Sequence, residues 1–450
     1  PFDPAFNSDA LRIREQLKVF TDRSIYAVGE TVKFRADHSV SVTDLEEWST
    51  VLYVELVSHG GKEVAQGKFV QGDGVCTGSL QIPSGILTGN YYLKCYTRWM
   101  RNVGPGSFTY VPLKIINPNR AEVVNGTNGN GYQSNVTSLA YHQGEFSCSS
   151  DAGKYGKGEK VSLLVRGPFN AYLDHLACCV TVVPAGAIDT LSGQLLIASD
   201  QVKSTDFSID YLPDIGHGTS LSGSVVFPDN SPAQFTTLHF SMLGSNPVFF
   251  AAVTDELGKF AISSPKRKGT QELHVSPDSK DGSLLEVRVD QDFDVSPLPL
   301  PSLKFSLSEW EREIANRMSL AMQFSRVYGT PGQADSDTSL AEILPFYGSR
   351  VQSLRMEDYV NLPNLEEVFI NLVPDVDVTR KKGISSLKIQ SDNSGIGIYE
   401  PLILIDNISV FDQEAVLALP PEKIDRIDLI NEVYLKGSVF FGGLIAIYSK

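Results

Sequence analysis

One pattern occurs twice and sets the period of the chain. Tyr26-x-x-Gly29-Glu30-x-Val32 recurs as Tyr155-x-x-Gly158-Glu159-x-Val161, 129 residues further on. Glycine supplies the permissive backbone of a turn, and the apolar residues after it alternate as they do in a strand with one buried face. Two copies at the spacing of one small domain plus linker predict two related β-sandwiches in series. Short strand-like segments fill most of the first 300 residues, among them SIYAVGETVKFRA, TVLYVELV, GNYYLKCYT, KVSLLVRG and ACCVTVV. Clusters of Gly, Pro, Asn and Asp separate them, as in sandwich folds. The length of 450 residues exceeds what one hydrophobic core serves, so about three or four domains are expected.

The chain divides by pattern. Residues 11–117 read as one sandwich and 118–215 as a second. The Asn/Gly-rich stretch from Asn117 to Ser138 forms the linker and a first strand between them. Residues 216–300 give two hairpins, LSGSVVFPDNSPAQFTTLHFSM and FFAAVTDELGKFAISSP, which predict a third sandwich. The Pro-rich VSPLPLPSLKF at 295–305 is a stiff connector. Over 301–360 the period changes to a helical one. Leu307, Trp310, Ile314, Met318, Ala321, Met322 and Val327 recur at helical spacing, and Ser306-x-x-Glu309 fits a capping box, so the spacing predicts a helix over 306–328. In 361–450, NLEEVFINLVP predicts a short helix, PLILIDNISVF a strand, PPEKIDRIDLI a helical turn running into a strand, and GGLIAIYSK a last strand. The fold class is therefore mainly β: serial immunoglobulin-like β-sandwiches, then a helical connector and a small α/β domain.

Charge and motif content narrow the function. A net charge of −15 repels nucleic-acid phosphates and anionic lipid, so neither is an expected partner. There is no apolar run long enough for a transmembrane helix, and PFDPAF at the start reads as a processed or trimmed end. The five cysteines leave one free or paired between chains. Cys76 and Cys95 lie in neighbouring predicted strands and pair only if those strands face each other. His142-x-x-Glu145 has a zinc-ligand spacing, but three residues along a strand put the side chains on opposite faces. His175-x-x-Cys178-Cys179 lacks a second ligand pair and reads as core thiols. Gly126–Gly131 reads as linker, not phosphate cradle. No nucleophile elbow, Walker loop or dinucleotide turn occurs. No catalytic residue, cofactor or metal site is expected. Trp99, followed by Met100 and Arg101 at a strand end, reads either as core or as part of an exposed contact patch.

Three segments resemble known families. Thr21, Asp22, Arg23, Tyr26, Gly29, Glu30 and Val32 resemble the signature of the second macroglobulin domain, and IPSGILTGNYYLKCYTRWMRNVGPGSF resembles its closing strands in large envelope proteins of Bacteroidetes. The resemblance implies a fold and an extracytoplasmic setting. The thioester Cys-Gly-Glu-Gln of alpha-macroglobulins is absent. Gly223, Val225, Pro232, Thr254, Asp255, Gly258 and Phe260 resemble the carboxypeptidase-regulatory sandwich, a non-catalytic spacer in that family. Pro401, Leu402, Ile403, Leu404, Ile405, Asp406 and Val410, then Pro421, Ile424, Ile427 and Asp428, then Gly437, Gly443, Ile445, Ile447 and Lys450 resemble the plug domain of TonB receptors. Asn407 replaces the plug's Gly and Ser449 its Thr, and Asn tolerates the same left-handed turn.

These resemblances imply a non-enzymatic protein of the cell envelope, periplasmic or outer-membrane-associated. It would not itself span the membrane. Its plug-like domain would dock in or occlude an outer-membrane β-barrel made by another chain, with the type IX secretion translocon or a nutrient transporter as host. Asp406, Asn407, Phe411, Gly437, Phe440 and Trp99 are the candidate partner-binding residues. The rival expectation is a surface adhesin or protease-interacting scaffold that works through the macroglobulin-like domains.

Overall fold

The repeated turn is built the same way in both places. The computed structural model describes residues 12–41, 48–124, 147–167, 181–183, 187, 209–214, 218–244, 246–264, 267, 269–279, 282, 284–296, 300, 305–328, 345–348, 351–359, 362–381, 383–391 and 396–450. In the first copy Asp22 Oδ1 accepts from Tyr26 Oη (2.7 Å) and from Lys33 N (3.0 Å), and Glu30 Oε2 accepts from Ala27 N (2.7 Å). In the second, Asp151 Oδ1 accepts from Tyr155 Oη (2.5 Å) and Ser162 N (3.1 Å), and Glu159 Oε2 accepts from Gly156 N (2.6 Å). Gly29 and Gly158 hold φ of +83° and +84°, a region that side chains enter at a cost. Asp151, the counterpart of Asp22, completes the motif in its second copy. Tyr155's hydrogen bond holds its carboxyl below the usual range.

The chain forms two units, one of residues 2–219 with 293–332 and one of 220–292 with 333–450. In the first, β1 (Glu15–Thr21), β2 (Ile25–Ala27), β3 (Thr31–Val40), β4 (Val51–Ser58), β5 (Glu63–Val70), β6 (Val75–Gln81), β7 (Gly89–Tyr96) and β8 (Thr109–Ile116) make two sheets, ordered β1-β3-β6 and β2-β8-β7-β4-β5. All pairs are antiparallel except β2 with β8. β1 and β3 bury alternate residues such as Leu17, Val19, Val32 and Phe34, as a strand with one solvated face does. β4 and β7 are buried along nearly their whole length, because the far face of their sheet is covered as well. Phe293 packs edge-on against Tyr53, and Leu300 joins the core. Lys94 Nζ donates to Asp294 O (2.6 Å) and lies 3.0 Å from Glu55 Oε1. Tyr96 Oη donates to Glu55 (2.8 Å) and accepts from Asp294 N (2.7 Å). These buried charges persist because each has an opposite charge and hydrogen bonds. Cys76 and Cys95 are both free and buried in this core; burial pushes the Cys76 thiol up to about 12.

The helix α1 (Glu309–Tyr328) starts two residues later than the capping box read from sequence. The box used is Ser308 with Glu311: Ser308 N donates to Glu311 Oε2 (2.7 Å) and Glu311 N to Ser308 Oγ (3.2 Å). Lys114 selects this frame, donating to Ser306 O (2.7 Å) and Glu311 Oε1 (2.6 Å). Ile314, Ala315 and Met318 pack on Ile25, Ala27 and Ile116, whereas Trp310 is exposed. A Cβ at Gly29 would lie 2.6 Å from Met322 Sδ, so that glycine also admits the helix. Of residues 118–215, expected to form a second sandwich, the described part is mainly the hairpin of β9 (Ser147–Ser150) and β10 (Leu163–Arg166), which carries the second turn. His142, Glu145, His175, Cys178, Cys179 and Gly126–Gly131 lie outside the described residues.

In the other unit, β11 (Ser220–Val226), β12 (Thr237–Leu243), β13 (Val248–Val253), β14 (Lys259–Ser263), β15 (Glu272–Pro277) and β16 (Glu286–Val289) form two antiparallel sheets, β14-β11-β16 and β13-β12-β15. Val225, Ala233, Leu238, Phe240 and Phe260 fill the space between them. Asp255 Oδ1 accepts from Leu257 N and Lys259 N, both at 2.8 Å, and shapes the β13–β14 turn. The α/β part comprises β17 (Gln352–Arg355), α2 (Leu365–Leu372), β18 (Val376–Lys381), β19 (Ile384–Ile389), β20 (Leu402–Ile405), β21 (Ile408–Ser409), α3 (Gln413–Leu417), β22 (Ile424–Ile430), β23 (Tyr434–Lys436), β24 (Val439–Phe441) and β25 (Leu444–Ser449). Its sheet runs β17-β22-β25-β20-β21, with β20 parallel to β25. Asn364 caps α2 by accepting from Glu367 N (3.0 Å).

β20 and β25 are continuous apolar runs because both faces of this sheet are covered. On one side Ile403, Ile445 and Ile447 meet Leu365, Val368 and Phe369 of α2. On the other, Leu402, Leu404, Leu444 and Ala446 share a core with Phe249 and Ala251 of β13. The third sandwich and the α/β part are thus joined through one apolar layer. The helix of the 301–360 connector packs within the first unit instead. The described chain is mostly β, with many small sheets and few helices.

Candidate functional site

Asp406 and Asn407 form the β20–β21 turn with φ of +48° and +69°. Asp406 accepts from Ser449 N (2.9 Å) and Ser449 Oγ (2.7 Å). Asn407 Oδ1 accepts from Tyr448 Oη (3.2 Å), whose oxygen lies 2.6 Å from Tyr347 Oη. Tyr347 donates to Asp428 Oδ2 (2.7 Å), and Ser353 Oγ donates to Asp428 Oδ1 (2.6 Å). Arg426 stacks over the Tyr448 ring at 4.0 Å and donates to Asp428 Oδ2 at 3.3 Å. Burial, then the bonds to Tyr448 and Asp428, raise Tyr347 above the tyrosine range, so it remains a neutral donor. This chain of bonds ties β17, β22, β25 and the β20–β21 turn together. Its carboxylates are engaged by structural donors, and Asp406 and Asn407 hold the turn. Among the described residues no group of three His, Cys, Asp or Glu side chains is placed to hold a metal ion.

Gly437 and Phe411 are exposed on one side and make an internal contact on the other. Gly437 has φ +61°, and a Cβ there would sit 2.0 Å from Ala251 O, so the β23–β24 turn lies directly against β13. The Phe411 ring is 4.7 Å from the His239 ring of β12. Lys436, on the same hairpin, is held below the usual lysine range by burial and lies over the Phe346 and Tyr434 rings. Trp99 is 1% exposed; it meets Trp48 edge-on at 5.1 Å and donates to Ile13 O (3.3 Å). It is a core residue, and no contact patch forms there.

Of the two exposed phenylalanines among the candidates, Phe411 also packs on His239, whereas Phe440 stacks on a residue that is itself exposed. Phe440 is 49% exposed and stacks on Tyr399, 40% exposed, at 5.5 Å. Leu435, 53% exposed, is its direct cross-strand partner. Ile398 beside Tyr399 is exposed too. The alternation Tyr434-Leu435-Lys436 against Val439-Phe440-Phe441 carried this signal: a tight hairpin places Leu435 and Phe440 on one face and their neighbours on the other. Tyr399 and Ile398 join the patch through tertiary placement, which their local sequence does not encode.

No protein-family model and no curated protein matches the sequence. Solved structures similar to it include Salmonella alpha-2-macroglobulin reacted with methylamine, at 12% identity and a TM-score of 0.18 over 61% of this chain and 14% of that one. Escherichia coli alpha-2-macroglobulin activated by porcine elastase matches at 11% identity and 0.19, over 61% and 20%. The D0–D1 domain of intimin matches at 10% identity and 0.17, over 61% and 98%. The chain spans a small fraction of the macroglobulins' length, and superpositions this loose carry no weight for activity or partners.

Proposed function

We propose that this chain is a non-enzymatic binding protein of the cell envelope whose C-terminal α/β part docks in, or occludes, an outer-membrane β-barrel formed by another chain. The observation that carries the reading is the outward apolar face of the β23–β24 hairpin. Leu435 and Phe440 project from a hairpin whose other face is anchored through Tyr434, Phe441 and Gly437, and Tyr399 stacks on Phe440 from a separate segment. A rigidly mounted aromatic patch loses little conformational entropy on binding, and aromatic residues are enriched where partners meet. The plug-like motif from Pro401 to Lys450 supplies the choice of a barrel as partner, and the resemblance to Bacteroidetes envelope proteins supplies the compartment. The type IX translocon or a nutrient transporter would be the host by the same resemblance. The test is affinity purification of the chain from envelope extracts beside a Leu435→Ser/Phe440→Ser variant. Recovery of a β-barrel protein with the wild type, reduced at least tenfold by the variant, is expected. Recovery of no barrel protein with either would sink the reading.

A further inference from the structure

β12 presents two faces. Leu238 and Phe240 point into the sandwich core, while His239 and Ser241 point to the α/β part. His239 is 6% exposed and lies among three phenylalanine rings: Phe411 at 4.7 Å, Phe249 at 5.3 Å and Phe441 at 5.4 Å. These rings come from β13, from β24 and from the segment after β21, so the imidazole sits where the sandwich meets the α/β sheet. Its Nδ1 has no hydrogen-bond partner among the described residues, and neither do Ser241 Oγ and Ser409 Oγ. Buried polar atoms without partners each weaken the surface that hides them. We infer that this seam is an acid-sensitive joint: protonation of His239 separates the β12–β13 face from β21 and the β23–β24 hairpin.

The electrostatics favour separation over accommodation. β12 carries no other charged group, and β13 carries none. Glu272 and His274 lie on the same sheet face of β15 and are exposed. Asp406 and Asp412 flank β21 and are exposed; each already accepts from a main-chain N–H. The β23 strand contributes Lys436 and the neutral Tyr434. Nearby Tyr347 and Asp428 are bound to each other. None of these offsets burial, which alone pushes the His239 imidazole from its usual value down to about 4. With the folded value below the free one, the closed seam is fully favoured above the free value near 6.5 and loses that advantage as pH falls toward 4. For a joint that opens to give a freely solvated imidazole, the opening constant rises roughly thirtyfold between pH 7.5 and pH 5.

Hydrogen exchange on the full chain tests this, with rates corrected for the intrinsic effect of pH. The amides of residues 434–441 should lose about thirtyfold protection from pH 7.5 to pH 5, while those of β11 keep theirs. His239→Leu should abolish that loss, and His274→Gln should leave it intact. Equal loss in β11, or the same pH response in His239→Leu, would overturn the inference. If His239→Leu fails to fold, titration of the wild-type imidazole decides: a midpoint near 4 supports the joint, and one near the free value refutes it.

Discussion

Single residues in this protein often serve a contact far away in sequence. Gly437 reads from sequence as a turn glycine, and its φ of +61° agrees. What the local pattern does not reveal is that its Cα lies against the backbone of Ala251, almost two hundred positions earlier. Gly437→Ala therefore faces both a left-handed backbone and a steric conflict, and should cost about 2–4 kcal/mol. Urea denaturation of the full chain, followed by a probe within residues 401–450, measures it; a loss below about 0.5 kcal/mol would contradict the packing described. Asp22 and Asp151 make the complementary point. The repeat aligned from sequence left them out, although their partners lie only four and eleven residues away. Trp99 was ambiguous by type alone, since a tryptophan at a strand end packs inward or outward according to what the fold brings over it.

At the level of elements, strands and hairpins were largely readable, because period-two alternation and turn residues are local signals. The helix start was not. Two overlapping frames, Ser306-x-x-Glu309 and Ser308-x-x-Glu311, both satisfy the capping-box pattern. Lys114 decides between them, and it is 197 residues from Glu311. Ser308→Ala should destabilise α1 by about 1 kcal/mol, while Ser306→Ala should leave it nearly unchanged. Thermal melting of the two variants, followed by helical circular dichroism, distinguishes the frames. The runs LILI and LIAI also become intelligible here. They do not alternate because one face of their sheet covers α2 and the other covers β13.

Across the whole molecule, the described residues group into two units that do not follow chain order. The chain passes from the first unit to the second, returns through 293–332, and enters the second again. The returning segment is fastened by Lys94 and Lys114, which the sequence shows only as isolated lysines in apolar strands. The joining of the third sandwich to the α/β part has a functional consequence. It engages one side of Gly437 and Phe411, and the binding reading depends on the Leu435–Phe440–Tyr399 face. Site-specific photo-crosslinking from position 435 in intact cells tests that reading most directly. The account predicts a single major adduct with an outer-membrane β-barrel protein, lost when Phe440 is replaced by Ser. Adducts only with soluble proteins, or none at all, would contradict it.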